Sequence, residues 1–321
     1  MPVPLSSVRE AQGFLKQHLP RTRLVAAPSI SRRTSGHVYL KLETDLPTGS
    51  FKPRGALYAL WVNLARRRVR EVVACSTGNH GAAVAYAAKL LGMSATIFLP
   101  ENPNPVKRAK IAELGARIVE QGPDLVEAFE LASVRAQADE DVYFLNDATD
   151  PDLPAGPATI ACEILEDLPG VEVIYVPMGD TALIRGVASA IKHLAKKKVR
   201  IIGVQAERAP AYCLSWKQGQ TISTEGCDTI ADGLATRTPD AANVREIREL
   251  VDDVRLVSEE EMLVAIRHLL IEEHVVAEPS GAAATAALLQ RGAEVGENTA
   301  ALVTGANITL EVLRRAVNFG S

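Results

Sequence analysis

The sequence predicts an α/β protein built as two three-layer domains, each a mostly parallel sheet covered by helices. Two observations carry this. Short apolar runs with strand composition alternate with helical patterns along almost the whole chain, which is the signature of parallel sheets with helical crossovers. The strand-like runs number about nine, many for one sheet, so two sheets are expected. The chain has 321 residues, enough for two cores of that size.

The N-terminal stretch "MPVPLSSVREAQGFLKQHLP" reads as a polar helix without a signal-peptide core. The strands are expected in "HVYLKLE", "EVVACS", "ATIFLP", "ARIVEQ", "DVYFLN", "VEVIYVPM", "RIIGVQA", "DVRLVS" and "NTAALVT". Helices fall at "PRGALYALWVNLARRR", "GAAVAYAAKLLG", "PVKRAKIAELG", "DLVEAFELASVRAQADE", "LIRGVASAIKHLAKK", "SEEEMLVAIRHLLIEEH" and "AAATAALLQRG". Gly92 and Gly115 close two of them, where a left-handed C-cap is needed. Residues 50–145 are expected to form the smaller domain, and residues 1–49 with 146–321 the larger.

The bulk properties exclude several function classes. Net charge is −4, and the basic runs "ARRRVR" and "AKKKVR" sit at helix ends, where they suit the dipole rather than nucleic acid. The four cysteines, Cys75, Cys162, Cys213 and Cys227, show no CxxC spacing, so neither a zinc site nor a disulfide framework is expected. No apolar run approaches membrane-spanning length. A soluble, cytoplasmic protein is predicted.

In open α/β sheets, ligands sit beyond the carboxyl ends of strands. Three such positions are rich in glycine and polar residues: Ser76-Thr77-Gly78-Asn79-His80-Gly81, Gly179-Asp180-Thr181-Ala182 and Thr304-Gly305-Ala306-Asn307. The first offers hydroxyls, an amide, an imidazole and helix N–H groups, a set suited to a carboxylate. A plain helix cap would need only one such residue. The second opens a helix, which Asp180 or Thr181 would cap or whose free N–H groups with Thr181 would bind a phosphate, although it has neither P-loop nor GxGxxG spacing. Asp180 is awkward there, because two like charges at 4 Å repel by roughly 4 kcal/mol at an effective dielectric of 20. It must turn away or be compensated, with Arg185 one helical turn on as a candidate. The fourth feature is "LPTGSFKPRGA". Lys52 precedes Pro53, a residue suited to the first position of a helix, so the lysine is held at a helix N-terminus whose partial charge lowers its pKa. Such a lysine is a candidate nucleophile, with an ordinary loop lysine as the alternative on this stretch alone.

Together, "KLETDLPTGSFKPRGA", "ACSTGNHGAAVAYAAKLLGMSATIFLPENPNPVKRAKIAELGARIV", "GVQAERAPA", "TIADGLA", "AEPSGAAATAALL" and "VTGANIT" resemble, in order, the threonine/serine dehydratases. These are pyridoxal-phosphate enzymes of the tryptophan-synthase-β fold type, and the resemblance covers nearly the whole chain. It implies a cofactor in the cleft between the two domains, the larger binding cofactor and the smaller substrate. Lys52 resembles the lysine that holds the cofactor aldehyde as a Schiff base and, when released, removes the substrate α-proton. Cofactor contacts are implied for Phe51, Asn79, Gly179, Asp180, Thr181, Ala182, Leu183, Gly233, Glu278 and Thr304, the last as hydroxyl partner of the ring nitrogen. Ser76, Thr77, Gly78, Asn79 and His80 are implied in substrate binding. The implied activity is α,β-elimination of an L-3-hydroxy amino acid, such as L-threonine or L-serine, to a 2-oxo acid and ammonia, by a homodimer. The alternatives are a β-replacement enzyme or racemase of the same fold, or a non-catalytic ligand-binding relative.

This chain departs from the family pattern in four places. Gly179-Asp180-Thr181-Ala182 replaces a loop of four glycines. Thr77 stands where racemases tend to use serine as the opposite-face acid. Gln205 and Ala211 replace the acidic residues that hold a divalent cation in some relatives, so no metal is expected. The sequence ends soon after its last helix, so no C-terminal regulatory domain is expected.

Overall fold

The computed structural model describes residues 2–76, 78–101, 103, 105–122 and 125–319. In chain order the elements are α1 (Leu5–Leu15), β1 (Leu24–Ala26), α2 (Pro28–Ser31), β2 (His37–Leu42), α3 (Lys52–Arg66), β3 (Glu71–Cys75), α4 (Asn79–Leu90), β4 (Ser94–Leu99), α5 (Pro105–Glu113), β5 (Arg117–Glu120), α6 (Leu125–Gln137), β6 (Val142–Phe144), α7 (Ala155–Asp167), β7 (Val173–Pro177), α8 (Ala182–Leu194), β8 (Arg200–Ala206), α9 (Ala211–Gln218), α10 (Ala241–Leu250), β9 (Asp253–Val257), α11 (Glu259–Glu272), α12 (Pro279–Leu289), β10 (Asn298–Val303) and α13 (Leu310–Asn318). They form two compact units, one gathering Met1–Phe51 with Pro157–Ser321 and the other being Lys52–Gly156.

The larger unit is a six-stranded sheet in the order β1-β2-β10-β7-β8-β9. All neighbours run parallel except β1, which pairs antiparallel with β2 at the edge. Every residue of β7 is buried, and adjacent residues point to opposite faces, so both faces of the sheet are covered. Helix α12 lies over β7 to β10. It is alanine-rich, and Ala282, Ala283 and Ala284 are fully buried; small side chains let its backbone approach the sheet closely.

The smaller unit is an all-parallel sheet in the order β5-β4-β3-β6. Val73, Phe98 and Val142 from the sheet pack with Ala128 and Ala132 of α6. Gly92 and Gly115 both adopt positive φ, 70° and 88°, as the left-handed caps of α4 and α5 require. Helix α3 starts at Lys52 itself, one residue before the proline.

The expected nine strands are all present. The tenth, β1, is three residues long and has no alternation for a sequence reading to find.

Candidate active site

In the smaller unit, β3 and β6 are parallel neighbours, so the segments that follow them emerge side by side at one sheet edge. Lys52 Nζ lies 2.5 Å from Asp147 Oδ2, with the two side chains 19% and 21% exposed. His80 Nδ1 lies 3.8 Å from the same carboxylate oxygen. His80 Nε2 is 2.9 Å from the Leu145 carbonyl, which can only accept, so Nε2 carries the proton and Nδ1 faces Asp147. Burial pushes the Asp147 carboxyl up, but His80 and Lys52 outweigh it and hold the group far below the usual carboxylate range. Cys75 ends β3, and burial, with a contribution from Asp147, pushes its thiol up to about 12.

Asp147 is absent from the candidates read in the sequence. The signal was available: it lies three residues beyond β6, in "FLNDATD", the position type that marked the other loops. Among the candidates the sequence offers, Ser76 Oγ accepts the Gly78 N–H at 3.1 Å, closing the turn into α4. Gly78 is the N-cap of α4 and Asn79 its first residue. Gly78 has no side chain to close that helix end, where the first N–H groups lack intrahelical partners and suit an anion. His80 is buried with its ring turned to Leu145 and Asp147. Thr77 lies outside the described residues.

In the larger unit, β2, β10 and β7 are consecutive parallel strands, which places the loops beyond their carboxyl ends along one edge. Two of these loops are tied together. Ser50 bridges Gly305, the Phe51 N–H donates to the Thr304 carbonyl at 3.0 Å, and the Ala306 N–H donates to the Gly49 carbonyl at 2.9 Å. Gly49 turns this loop with φ 70°, a conformation a Cβ would strain.

The third loop, Gly179 to Thr181, enters α8. Gly179 makes a close approach: an added Cβ would meet the Gly233 carbonyl oxygen at 2.2 Å. The Gly233 N–H in turn donates to Ser280 Oγ at 3.0 Å. Asp180 is turned to Thr236, whose hydroxyl donates to its carboxylate at 2.9 Å. Arg185, the compensator considered from sequence, forms an ion pair with Glu246 at 3.3 Å. Thr181 is the N-cap of α8, with φ 71°. Its hydroxyl is buried without a hydrogen-bond partner, although the Tyr212 hydroxyl is near enough to feel it. Ala182 and Leu183 follow, 6% and 5% exposed, and no side chain caps the helix.

Thr304 is buried at the end of β10, its Oγ1 3.4 Å from the Ser280 carbonyl. Glu278, also buried, is the N-cap of α12, and its N–H donates to the Gly305 carbonyl at 2.9 Å.

The profile of the pyridoxal-phosphate-dependent enzymes matches residues 15–305, and the chain belongs to that family. It is 39% identical to the L-threonine ammonia-lyase of Thermotoga maritima over 99% of this chain and 79% of that protein. Among solved structures it is similar to maize serine racemase (TM-score 0.91, 29% identity, 98% of this chain and 97% of that one). It is also similar to the processed form of threonine deaminase isoform 2 from Solanum lycopersicum (TM-score 0.91, 27% identity, 100% and 90%).

The residues present fit pyridoxal phosphate. A buried, uncapped helix N-terminus and a buried hydroxyl lacking a partner are what a phosphate monoester satisfies. The bare backbone at Gly179 keeps that loop open to close approach. A lysine amine beside a carboxylate supplies the nitrogen that the cofactor aldehyde requires.

Proposed function

We propose that this chain is a pyridoxal-phosphate-dependent ammonia-lyase that converts an L-3-hydroxy amino acid, L-threonine or L-serine, to a 2-oxo acid and ammonia by α,β-elimination. The observation that carries the reading is Lys52, a partly buried amine at the start of α3 with a carboxylate 2.5 Å away. The identity to an enzyme named L-threonine ammonia-lyase supports the substrate class.

Pyridoxal phosphate, when bound, supplies an aldehyde that captures the substrate amine and a conjugated ring that draws electrons from Cα. Lys52 Nζ holds the cofactor and, once released, takes the substrate α-proton. Gly179, Thr181 and the first N–H groups of α8 hold the phosphate, and Asp180 stays turned to Thr236 so that its charge points elsewhere. Thr304 Oγ1 is the partner for the ring nitrogen; a neutral hydroxyl does not keep that nitrogen protonated. Phe51, Asn79, Gly233 and Glu278 complete the cofactor contacts. The N–H groups at the start of α4, with Ser76, Gly78 and Asn79, bind the substrate carboxylate. His80 orients Asp147 rather than offering its ring to substrate.

All four cysteines are free thiols, which supports a reducing, cytoplasmic setting. No helix among the described residues is long and apolar enough to cross a membrane. A homodimer is proposed. It is supported by the exposed Val264 and Ile271 of α11 and Leu310 and Val317 of α13, two helices packed on each other.

The test is a near-visible spectrum of the protein with pyridoxal phosphate, before and after L-threonine and L-serine, with oxo acid and ammonia measured. A band absent in Lys52→Ala, with oxo-acid production, is expected. A band with the D-amino acid as the dominant product would instead favour a racemase, the activity named for the maize neighbour. Failure to form any band would overturn the assignment.

A further inference from the structure

We propose that Asp147 is the counter-ion and positioning residue of the unmodified Lys52 amine: its carboxylate stabilises the ammonium and sets the pH above which Nζ becomes nucleophilic or basic. The inference rests on the reading that Lys52 is the reacting amine. It comes from geometry confined to one compact unit. Lys52 opens α3, Asp147 follows β6, and their charged atoms are 2.5 Å apart with both side chains about four-fifths buried. At this separation and burial the pair is a charge-assisted hydrogen bond, not a solvent-screened contact.

Among the described residues, the titratable groups that interact with Asp147 include Lys52 from α3, His80 from α4 and Cys75 from β3. His80 is fixed by its Nε2–H bond to the Leu145 carbonyl, so the ring holds the Asp147 loop in place. Cys75 stays a neutral thiol at physiological pH, because its ionisation lies near pH 12. Lys52 is therefore the cation in direct contact with the carboxylate.

Two effects on Lys52 oppose each other. The partial positive charge at the start of α3, about half a unit charge, favours the neutral amine. A full negative charge at hydrogen-bond distance favours the ammonium, and it wins on both charge and distance. Nζ can attack a carbonyl carbon or take an α-proton only after it gives one proton to solvent. No bond to carbon changes in that step. Asp147 makes the proton harder to lose, and at the same time holds the amine in one place rather than leaving it to sample rotamers.

The test uses the full chain without cofactor. Lysines are labelled with trace acetic anhydride across a pH series from neutral to strongly alkaline, and the peptide bearing Lys52 is quantified by mass spectrometry. In the wild type, the labelling midpoint of Lys52 is expected above the ordinary lysine value of about 10.4. In Asp147→Asn the midpoint is expected to fall by about 1–3 pH units, the usual effect of an opposite charge at this range. The rate at neutral pH then rises about ten-fold or more, with the high-pH plateau unchanged. Asp147→Glu is expected to bring the midpoint back towards the wild type. An unchanged midpoint in Asp147→Asn overturns the proposal, as does a lower plateau at the same midpoint, which would mark a packing role only. Should Asp147→Asn fail to fold, a wild-type midpoint below about 10.4 overturns it equally. No pyridoxal phosphate enters the assay, so its outcome is separate from success or failure of the lyase reading.

Discussion

Replacing Thr181 by glycine is expected to move stability and phosphate binding in opposite directions. Thr181 is β-branched, yet it holds φ at 71°, where a Cβ crowds the following carbonyl. That conformation costs roughly 1–2 kcal/mol for an L-residue. The buried hydroxyl without a partner costs about 1–3 kcal/mol more. Glycine removes both. Against this, glycine loses about 0.5–1 kcal/mol in unfolded-state entropy, and the buried methyl about 0.8 kcal/mol of transfer energy. The balance is a gain of roughly 0.2–3.7 kcal/mol, centred near about 2 kcal/mol. For a unit of this size each kcal/mol moves Tm by about 2–4 °C, so at the centre of that range a rise of about 4–8 °C is expected in phosphate-free buffer. The assay is a thermal melt of the cofactor-free chain with and without inorganic phosphate. Phosphate raises the wild-type Tm by mass action, and the increment is expected to shrink in Thr181→Gly because one donor is gone. Thr181→Val separates the two effects, since it keeps the strained shape and removes the hydroxyl. Its phosphate increment should shrink, while its basal Tm gains only the share that comes from removing the unpartnered hydroxyl. A Thr181→Gly protein that melts lower than wild type without phosphate would refute the strain argument. A Thr181→Val protein with the full phosphate increment would refute the hydroxyl's role.

Three further outcomes are expected. Lys41 is fully buried, with Nζ donating to Glu163 at 2.6 Å and to the Thr22 carbonyl at 2.7 Å. Lys41→Met leaves the Glu163 carboxylate without this cation and should cost about 3–5 kcal/mol in urea unfolding, much of it regained in Lys41→Met/Glu163→Met. Gly179→Ala drives a Cβ to 2.2 Å from the Gly233 carbonyl, where only backbone can yield. It should weaken cofactor binding about ten-fold or more in a fluorescence titration and cost about 1–3 kcal/mol. Asp147 has its folded-state pKa depressed, so it contributes stability above the unfolded carboxylate value of about 3.9, lost as pH falls through the folded value. The gap in urea midpoint between wild type and Asp147→Asn should be full at about pH 7 and narrower at about pH 3.

Several features of this protein are local and were legible in the chain. Apolar runs such as "EVVAC" and "NTAALV" carry their own strand signal, and Gly92 and Gly115 end helices because a left-handed residue without Cβ is required there. The placement of Lys52 before Pro53 marked a helix start within one residue. Its family resemblance marked the chemistry, and the match over residues 15–305 agrees with it. Asp147 directly follows the expected strand "DVYFLN" and was readable as a strand-end residue; what no local stretch showed is that it meets Lys52.

The α/β class, the strand and helix punctuation, and the residue types beyond the strand ends follow from the chain's local pattern, because these depend on periodicity and backbone preference within a few residues. Which distant groups meet is a matter of the folded arrangement. Asp180 meets Thr236, fifty-six residues on, Lys52 meets Asp147, ninety-five on, and Lys41 meets Glu163, one hundred and twenty-two on. Those pairings follow from strand order, β3 beside β6 and β2 beside β10 beside β7, and strand order is set by how buried faces pack, which no local stretch encodes. The left-handed Thr181 belongs with them: nothing in its own residue type favours φ 71°, and the surrounding loop and helix hold it there.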